Sequence, residues 1–340
     1  MPGPHRHCLW RRLTFAGLLS ASICPGAPAG EPAALVKDAG QYFAGGNLKA
    51  AEIELKNAVR QSPQDPVVRA RLAEIYLQLG EAAAAESEAR AARERGGDEA
   101  GYLPILADAL LRQDKFAEIL DFIHPADRDA VLESKLRTAV GTAAASLQDQ
   151  DKADAMFRDA IRLDPSAVKP KIQLAQLLSA KDPAKADKLM EEVIAIEPHS
   201  VEALLVKGQM LRSRGDLDGA VRLFDQVLQI DPGDLPARLG RADIDITRGD
   251  FKAADDILDP ILAAAPDNFM ANYLRALGLA NEQQFAIADR ILDHISPGFA
   301  RFPPGYYLQG AAKFSLGQFK EAEIALGKYL AYVPNDRRAV

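Results

Sequence analysis

The sequence predicts an all-α solenoid, a stack of helical hairpins, and three periodic columns predict it. The first column is dominated by alanine: Ala51, Ala85, Ile119, Ala153, Ala186, Ala220, Ala254, Ala288 and Ala322. The step is 34 residues throughout, except for one of 33 between Ala153 and Ala186. A second column holds Pro63, Pro165, Pro198, Pro232, Pro266 and Pro334, with Gly97, Val131 and Ala300 in the other slots. The third holds Gly46, Gly80, Gly215, Gly249 and Gly317. Alanine lets two helices approach, proline stops a helix, and glycine accepts the left-handed backbone of a tight corner. Alanine is common in this chain, so the fixed period over nine positions carries the argument, and single matches do not.

The stretch Val201–Pro232 shows the unit most fully. Leu204, Leu205, Gly208 and Leu211 lie at helical spacing, and Arg214-Gly215-Asp216 breaks the helix. Ala220, Val221, Phe224, Val227 and Leu228 then share one face of a second helix that Asp231-Pro232 stops. Gly208 and Ala220 bring the two backbones close, and Phe224 fills the space beside them. The spacing of Leu204, Lys207-Gly208, Leu211, Ala220, Phe224 and Pro232 resembles the tetratricopeptide repeat. One hairpin cannot bury its apolar face alone, so many are expected. The expected fold is a right-handed superhelical tetratricopeptide-repeat solenoid of about nine hairpins over residues 31–340. Its repeats end near Pro63, Gly97, Val131, Pro165, Pro198, Pro232, Pro266, Ala300 and Pro334.

Residues 1–29 read as a signal peptide. Arg6, Arg11 and Arg12 form a positive region before the apolar run Leu13–Ile23, which is too short to span a bilayer. Ala27-Pro28-Ala29 offers cleavage before Gly30, and Cys24 offers a rival cleavage with lipid attachment. Ala21 and Ser22 suit a lipobox, whereas Ile23 stands where a small residue is expected. Pro25–Pro32 reads as a tether. The first repeat then has Tyr42, Ala51, Leu55 and Ala58 as core, and the second is alanine-rich from Glu81 to Ala85, so its helices should pack closely. The third is irregular: His124-Pro125 cuts its second helix short, and a new helix capped by Asp127 follows. The fifth has the shortened turn Lys181-Asp182-Pro183. Ser296-Pro297-Gly298 and Pro303-Pro304-Gly305 form the longest non-helical insert. Asn335–Val340 opens a tenth repeat that is not completed. Either the chain is part of something longer, or the final hairpin leaves an apolar flank exposed as an interaction surface.

Composition removes several functions. At 340 residues and 48% hydrophobic composition the chain can bury an extensive core, while a net charge of −7 without a basic block argues against nucleic acid. The only cysteines are Cys8 and Cys24, so the folded body holds no disulfide and no cysteine metal site. His124, His199 and His294 lie far apart without metal-ligand spacing. Gly45-Gly46 and Gly96-Gly97 are turn glycines rather than a phosphate loop, and paired carboxylates such as Asp255-Asp256 or Glu191-Glu192 read as solvated helix faces. No catalytic constellation, metal site or cofactor is expected.

Binding is the positive expectation. First helices of such a stack line a concave groove suited to an extended or helical peptide. The register places Arg71, Glu74, Gln78, Asp108 and Arg112 in its N-terminal part, and Gln173, Gln176, Gln209 and Arg212 in the middle. Tyr273, Leu277, Tyr307 and Phe314 fall at the C-terminal end. Amides and arginines hydrogen-bond a peptide backbone or sugar hydroxyls, and tyrosines supply flat contact area. The Lys/Asn pairs of a chaperone-type carboxylate clamp are absent from successive first helices.

The stretches Gln41–Pro63, Ala70–Gly80, Ala85–Gly96, Leu103–Phe116 and Gly305–Asp336 resemble tetratricopeptide-repeat lipoproteins of the PEP-CTERM/exosortase system, with Leu55-Lys56-Asn57-Ala58 the most particular phrase. That family is longer and has more repeats. The resemblance implies an exported scaffold, in the periplasm or at the outer membrane, that binds other envelope proteins in an exopolysaccharide or protein-sorting pathway. Membrane contact would run only through a lipid on Cys24. Two further readings stay open: a general periplasmic or outer-membrane adaptor in polysaccharide secretion or envelope assembly, and the repeat half of a larger glycosyltransferase.

Overall fold

The structure, a computed structural model, describes residues 32–337, so the expected signal peptide and Cys24 lie outside the described residues. Every regular element in that span is helical. The chain divides into two compact units, the first running through Gln113 and the second beginning at Asp114. The division falls in the third repeat, which the sequence marks as irregular.

The first unit contains α1 (Pro32–Ala44), α2 (Leu48–Gln61), α3 (Pro66–Gln78), α4 (Ala82–Glu94) and α5 (Glu99–Leu111). Each helix packs on the next, and α3 also packs on α5. Ala51, Leu55 and Ala58 are buried in its core, and Ala85, Ala89 and Ala92 are fully buried along α4. Tyr42 departs from expectation and is exposed. Its counterpart Tyr76 is covered by the preceding second helix, with Lys56 of α2 lying 5.5 Å over its ring. Among the described residues no second helix precedes α1 to do the same.

The second unit opens with α6 (Phe116–Phe122), α7 (Ala130–Ser146) and α8 (Gln150–Leu163). It continues with α9 (Val168–Leu178), α10 (Pro183–Ile196), α11 (Val201–Ser213) and α12 (Leu217–Ile230). Then come α13 (Leu235–Arg248), α14 (Phe251–Ala264), α15 (Phe269–Asn281) and α16 (Phe285–Ile295). A 3-10 turn (Ser296–Gly298), α17 (Pro304–Ser315) and α18 (Phe319–Tyr332) close it. The short α6 reflects the His124-Pro125 stop. The helix after it is capped by Asp129, whose carboxylate accepts the Val131 N–H at 2.9 Å, and not by Asp127. Val131 therefore lies inside α7, and the third repeat closes earlier, in the loop after α6. Pro304 and Gly305 likewise belong to α17. Proline at the first helical position loses no intrahelical bond, so Pro303-Pro304 starts a helix where a loop was expected.

Caps and corners explain why the hairpins recur. Asp216, Asp234, Asp250 and Asn268 each accept a backbone N–H three residues on, a bond whose loss costs about 1 kcal/mol. The corner residue is left-handed at Gly46, Gly80, Gly215, Gly249 and Gly317, and Asp114, Gln148 and Gln283 hold the same conformation in the same column. Lys181, in the shortened repeat, does not. Elsewhere the next helix's cap closes the corner from five residues on, as Asp216 N–H does to the Leu211 carbonyl. Asp182 N–H instead reaches the Leu178 carbonyl, four residues back. The 33-residue step has lost its left-handed residue.

Close approach is literal at Phe224. A Cβ placed on Gly208 or on Gly240 would fall 2.7 Å from its ring, so α11 and α13 clasp this phenylalanine from two sides. In the later hairpins an ion-pair ladder joins each second helix to the next first helix. Glu191 pairs with Lys207 at 3.6 Å, and Asp225 with Arg241 at 2.6 Å. Arg275 pairs with Asp259 and with Asp255, the latter at 3.2 Å, and the Gln309 amide donates to Asp293 at 2.7 Å.

Candidate functional site

First helices pack on one another along each unit: α3 on α5 in the first, and α7, α9, α11, α13, α15 and α17 in sequence in the second. Their shared side is a continuous row onto which one position per hairpin projects, at the repeat spacing. In the first unit that position carries Glu74 and Asp108. In the second it carries Thr142, Gln176, Gln209, Asp243, Leu277 and Ala311. The column holds two acids in the first unit, and a threonine, two amides, an acid and two apolar residues along the second. Of these, the sequence reading named Glu74, Asp108, Gln176, Gln209 and Leu277, and it missed Asp243. The 34-residue spacing from Gln209 was the signal that could have found it.

In the first unit the predicted charges are already matched. Arg71 donates to Glu74 at 3.0 Å, and Arg112 donates to Asp108 at 3.1 Å and to the Leu77 carbonyl at 3.0 Å. Gln78 is exposed. Arg71 and Glu74 sit at the rim of a cleft of about 240 Å³ whose walls are Val36, Ala39, Phe43 and Leu55. This cleft is apolar inside and charged at its mouth.

In the second unit Gln173 and Gln176 on α9 and Gln209 on α11 hold no side-chain hydrogen bond among the described residues, and Gln176 and Gln209 are exposed. Each amide can both donate and accept. Arg212 at the end of α11 pairs with Asp243 on α13. Burial raises the Asp243 carboxyl above the ordinary aspartate range, although Arg212 opposes that shift. Tyr273 on α15 follows, its hydroxyl pushed up to about 12 by burial first and then by the negative charge of Asp243. Its ring meets Phe302 edge to face at 4.8 Å. Leu277 is half-buried beside it. The structure thus links Arg212, Asp243 and Tyr273 across three neighbouring first helices. Tyr307 instead packs on Tyr329 of its own hairpin at 5.3 Å, and Phe314 lies at the far end of α17 against Phe319.

Among the described residues no group of three His, Cys, Asp or Glu side chains is arranged to hold a metal ion. His294 pairs with Asp267 at 3.1 Å, in the open. Among the described residues no helix is long and apolar enough to cross a membrane.

Family comparison gives the same repeat along the chain. Tetratricopeptide-repeat models match residues 42–109 and 211–278, residues 176–234, and residues 134–166. The chain is a tetratricopeptide-repeat protein. A comparison with curated proteins finds no match. Among solved structures, a tetratricopeptide repeat protein from Parabacteroides merdae ATCC 43184 is 17% identical with a TM-score of 0.55, over 91% of this chain and 95% of that one. The Cut9-Hcn1 hetero-tetramer of the APC/C is 14% identical with a TM-score of 0.58, over 88% of this chain and 66% of that one. PilW, a type IV pilus biogenesis factor, is 22% identical with a TM-score of 0.50, over 61% and 96%. At such identities these likenesses show the fold. Tetratricopeptide-repeat proteins are typically scaffolds that bind other proteins, and this chain has the architecture of one.

Proposed function

We propose that the protein is an exported, non-enzymatic assembly scaffold whose first-helix row holds a segment of a protein partner. The observation that carries this reading is the set of three amides without hydrogen bonds, Gln173, Gln176 and Gln209, on two first helices that pack together. An extended peptide has donors and acceptors that such amides complement. On α15, two first helices beyond α11, Tyr273 and Leu277 supply apolar contact behind the Arg212–Asp243 pair. The partner segment that fits has a polar stretch over the amides and one aromatic or aliphatic anchor beyond them. The pathway, export of exopolysaccharide or of PEP-CTERM proteins in a bacterial envelope, is supported by the resemblance of Gln41–Pro63 and Gly305–Asp336 to that family's lipoproteins.

Peptides selected by display against the purified chain test the site. Replacing Gln173, Gln176 and Gln209 together by alanine is expected to weaken the selected peptides by about 10- to 2,000-fold, at a net of about 0.5–1.5 kcal/mol for each hydrogen bond. Undiminished affinity in that variant would remove the first-helix row from the account. For anchoring, fatty-acid labelling of the native envelope should mark the wild type and not Cys24→Ala; equal labelling removes the lipid.

A further inference from the structure

Between the first two hairpins of the first unit, on the side of the second helices, lies an open cleft of about 510 Å³. Leu72 and Tyr76 of α3 form its floor, and Ile53, Lys56, Val59 and Arg60 of α2 form one wall. Ile53 is 58% exposed. Its position is exposed in other hairpins too, but there it holds Ser87, Asp121, Lys188, Arg222, Asp256 and Arg290. Beside this cleft an aliphatic side chain stands in solvent where those hairpins keep a polar one.

Charge says what the cleft accepts. In the later hairpins an acid of the second helix, such as Asp225 or Asp259, takes a base from the next first helix, Arg241 or Arg275, across the corresponding place. At the matching positions of the first unit stand Lys56 on α2 and Leu72 on α3. The sign on the second helix is reversed, and Leu72 offers it no carboxylate. Lys56 is held only from its own helix, by Glu52 at 2.5 Å, and lies 5.5 Å over the Tyr76 ring. Arg60, one turn further on, bonds the Asn57 amide oxygen and pairs with no carboxylate among the described residues. On the opposite wall Glu88 is already taken by Arg69 at 2.7 Å. The charge left to give at this cleft is therefore positive, beside an apolar floor.

We propose that the cleft binds an acidic amphipathic helix of a partner protein. An aliphatic or aromatic side chain of that helix sits on Leu72 and Tyr76 beside Ile53, and two carboxylates one turn apart reach Lys56 and Arg60. The partner thus supplies the acids that α3 lacks. Ile53, Lys56 and Arg60 fall on one stripe of α2, and the spacing of its two cations matches acids at the same spacing on a helix laid along it. The apolar anchor carries affinity, whereas the charges set which partner is accepted. This site shares no residue with the first-helix row.

A display library of helical peptides, selected against the full chain carrying Gln173→Ala, Gln176→Ala and Gln209→Ala, tests the cleft apart from the row. Selected peptides should carry Asp or Glu one turn apart with an apolar residue on the same face, and their affinity should fall as salt rises. Ile53→Ser should weaken them by at least about 10-fold. Arg60→Glu should weaken them as much and should reverse the preference between each peptide and its lysine-substituted form. Both side chains are exposed, so the helical signal should not change. Lys188→Ser, in the same column of α10, should leave affinity as it was. No enrichment, enrichment of basic peptides, or affinity that survives Ile53→Ser overturns the proposal. So does an Arg60→Glu chain that keeps the acidic preference, or a loss on Lys188→Ser. A doubling of mass with concentration that Ile53→Ser abolishes would put a second copy in the cleft, and overturns it as well.

Discussion

Leu72, Leu106 and Val140 stand eight residues before the hairpin corner in earlier repeats, and Lys207, Arg241, Arg275 and Gln309 stand there in the later ones. The position is the same and the chemistry is not. Leu72 and Leu106 are buried, so their hairpins are held by apolar area, which stabilises any neighbour of fitting shape. The later side chains reach an acid or its equivalent on the preceding second helix. Such partly exposed pairs add little net stability, but a wrong neighbour leaves a charge unmatched. The early repeats are fixed by burial, whereas the later ones are also told which hairpin comes before them.

The contrast can be broken by mutation, beginning with the largest effect. Leu106→Ala should cost about 2–5 kcal/mol in unfolding free energy, since it empties a fully buried site. Arg241→Ala should cost no more than about 1 kcal/mol. Equal losses in denaturant titrations would erase the distinction. Next, Gly208→Ala should cost about 1–3 kcal/mol by driving a methyl into Phe224, whereas Gly327→Ala, with open space around it, should cost nothing or add about 0.5–1 kcal/mol of helix stability. Arg241→Leu should be neutral or mildly stabilising and should reduce the dependence of unfolding on salt. A large loss there would mean that the ladder carries stability rather than order.

The smallest effect concerns Asp245, buried on α13 with Arg241 3.9 Å away. Burial raises its carboxyl above the ordinary aspartate range, and Arg241 counters this only in part. A raised carboxyl means that the folded chain disfavours the charged form. The cost is therefore present at neutral pH and fades as the pH falls into the carboxylate range, where the folded chain holds its proton. Asp245→Asn should raise Tm at neutral pH by about 2–4 °C, and the gain should shrink on acidification. A gain that grows with falling pH would reverse the sign of the argument.

Period and punctuation were legible in the sequence because each column has one physical cause: a stop, a corner or a close contact. Even the shortened turn at Lys181-Asp182-Pro183 was visible, although only the structure identifies the missing residue as the left-handed one. What escaped depends on neighbours. Asp129 rather than Asp127 caps α7, because both are good caps and only the path of the loop chooses between them. Tyr42 fits the core pattern and is exposed because cover must come from a preceding hairpin. Projection onto a helix face named Arg71, Arg112 and Arg212 as groove residues, yet it could not tell that each already holds a carboxylate. The amides of Gln173, Gln176 and Gln209 are left as the polar groups with bonds to give.

Hydrogen–deuterium exchange of the full chain, with and without a display-selected peptide, reads the central claim most directly. Binding along the first-helix row should slow exchange in α9, α11, α13 and α15 and leave α10, α12, α14 and α16 unchanged. Protection confined to the second helices would contradict it.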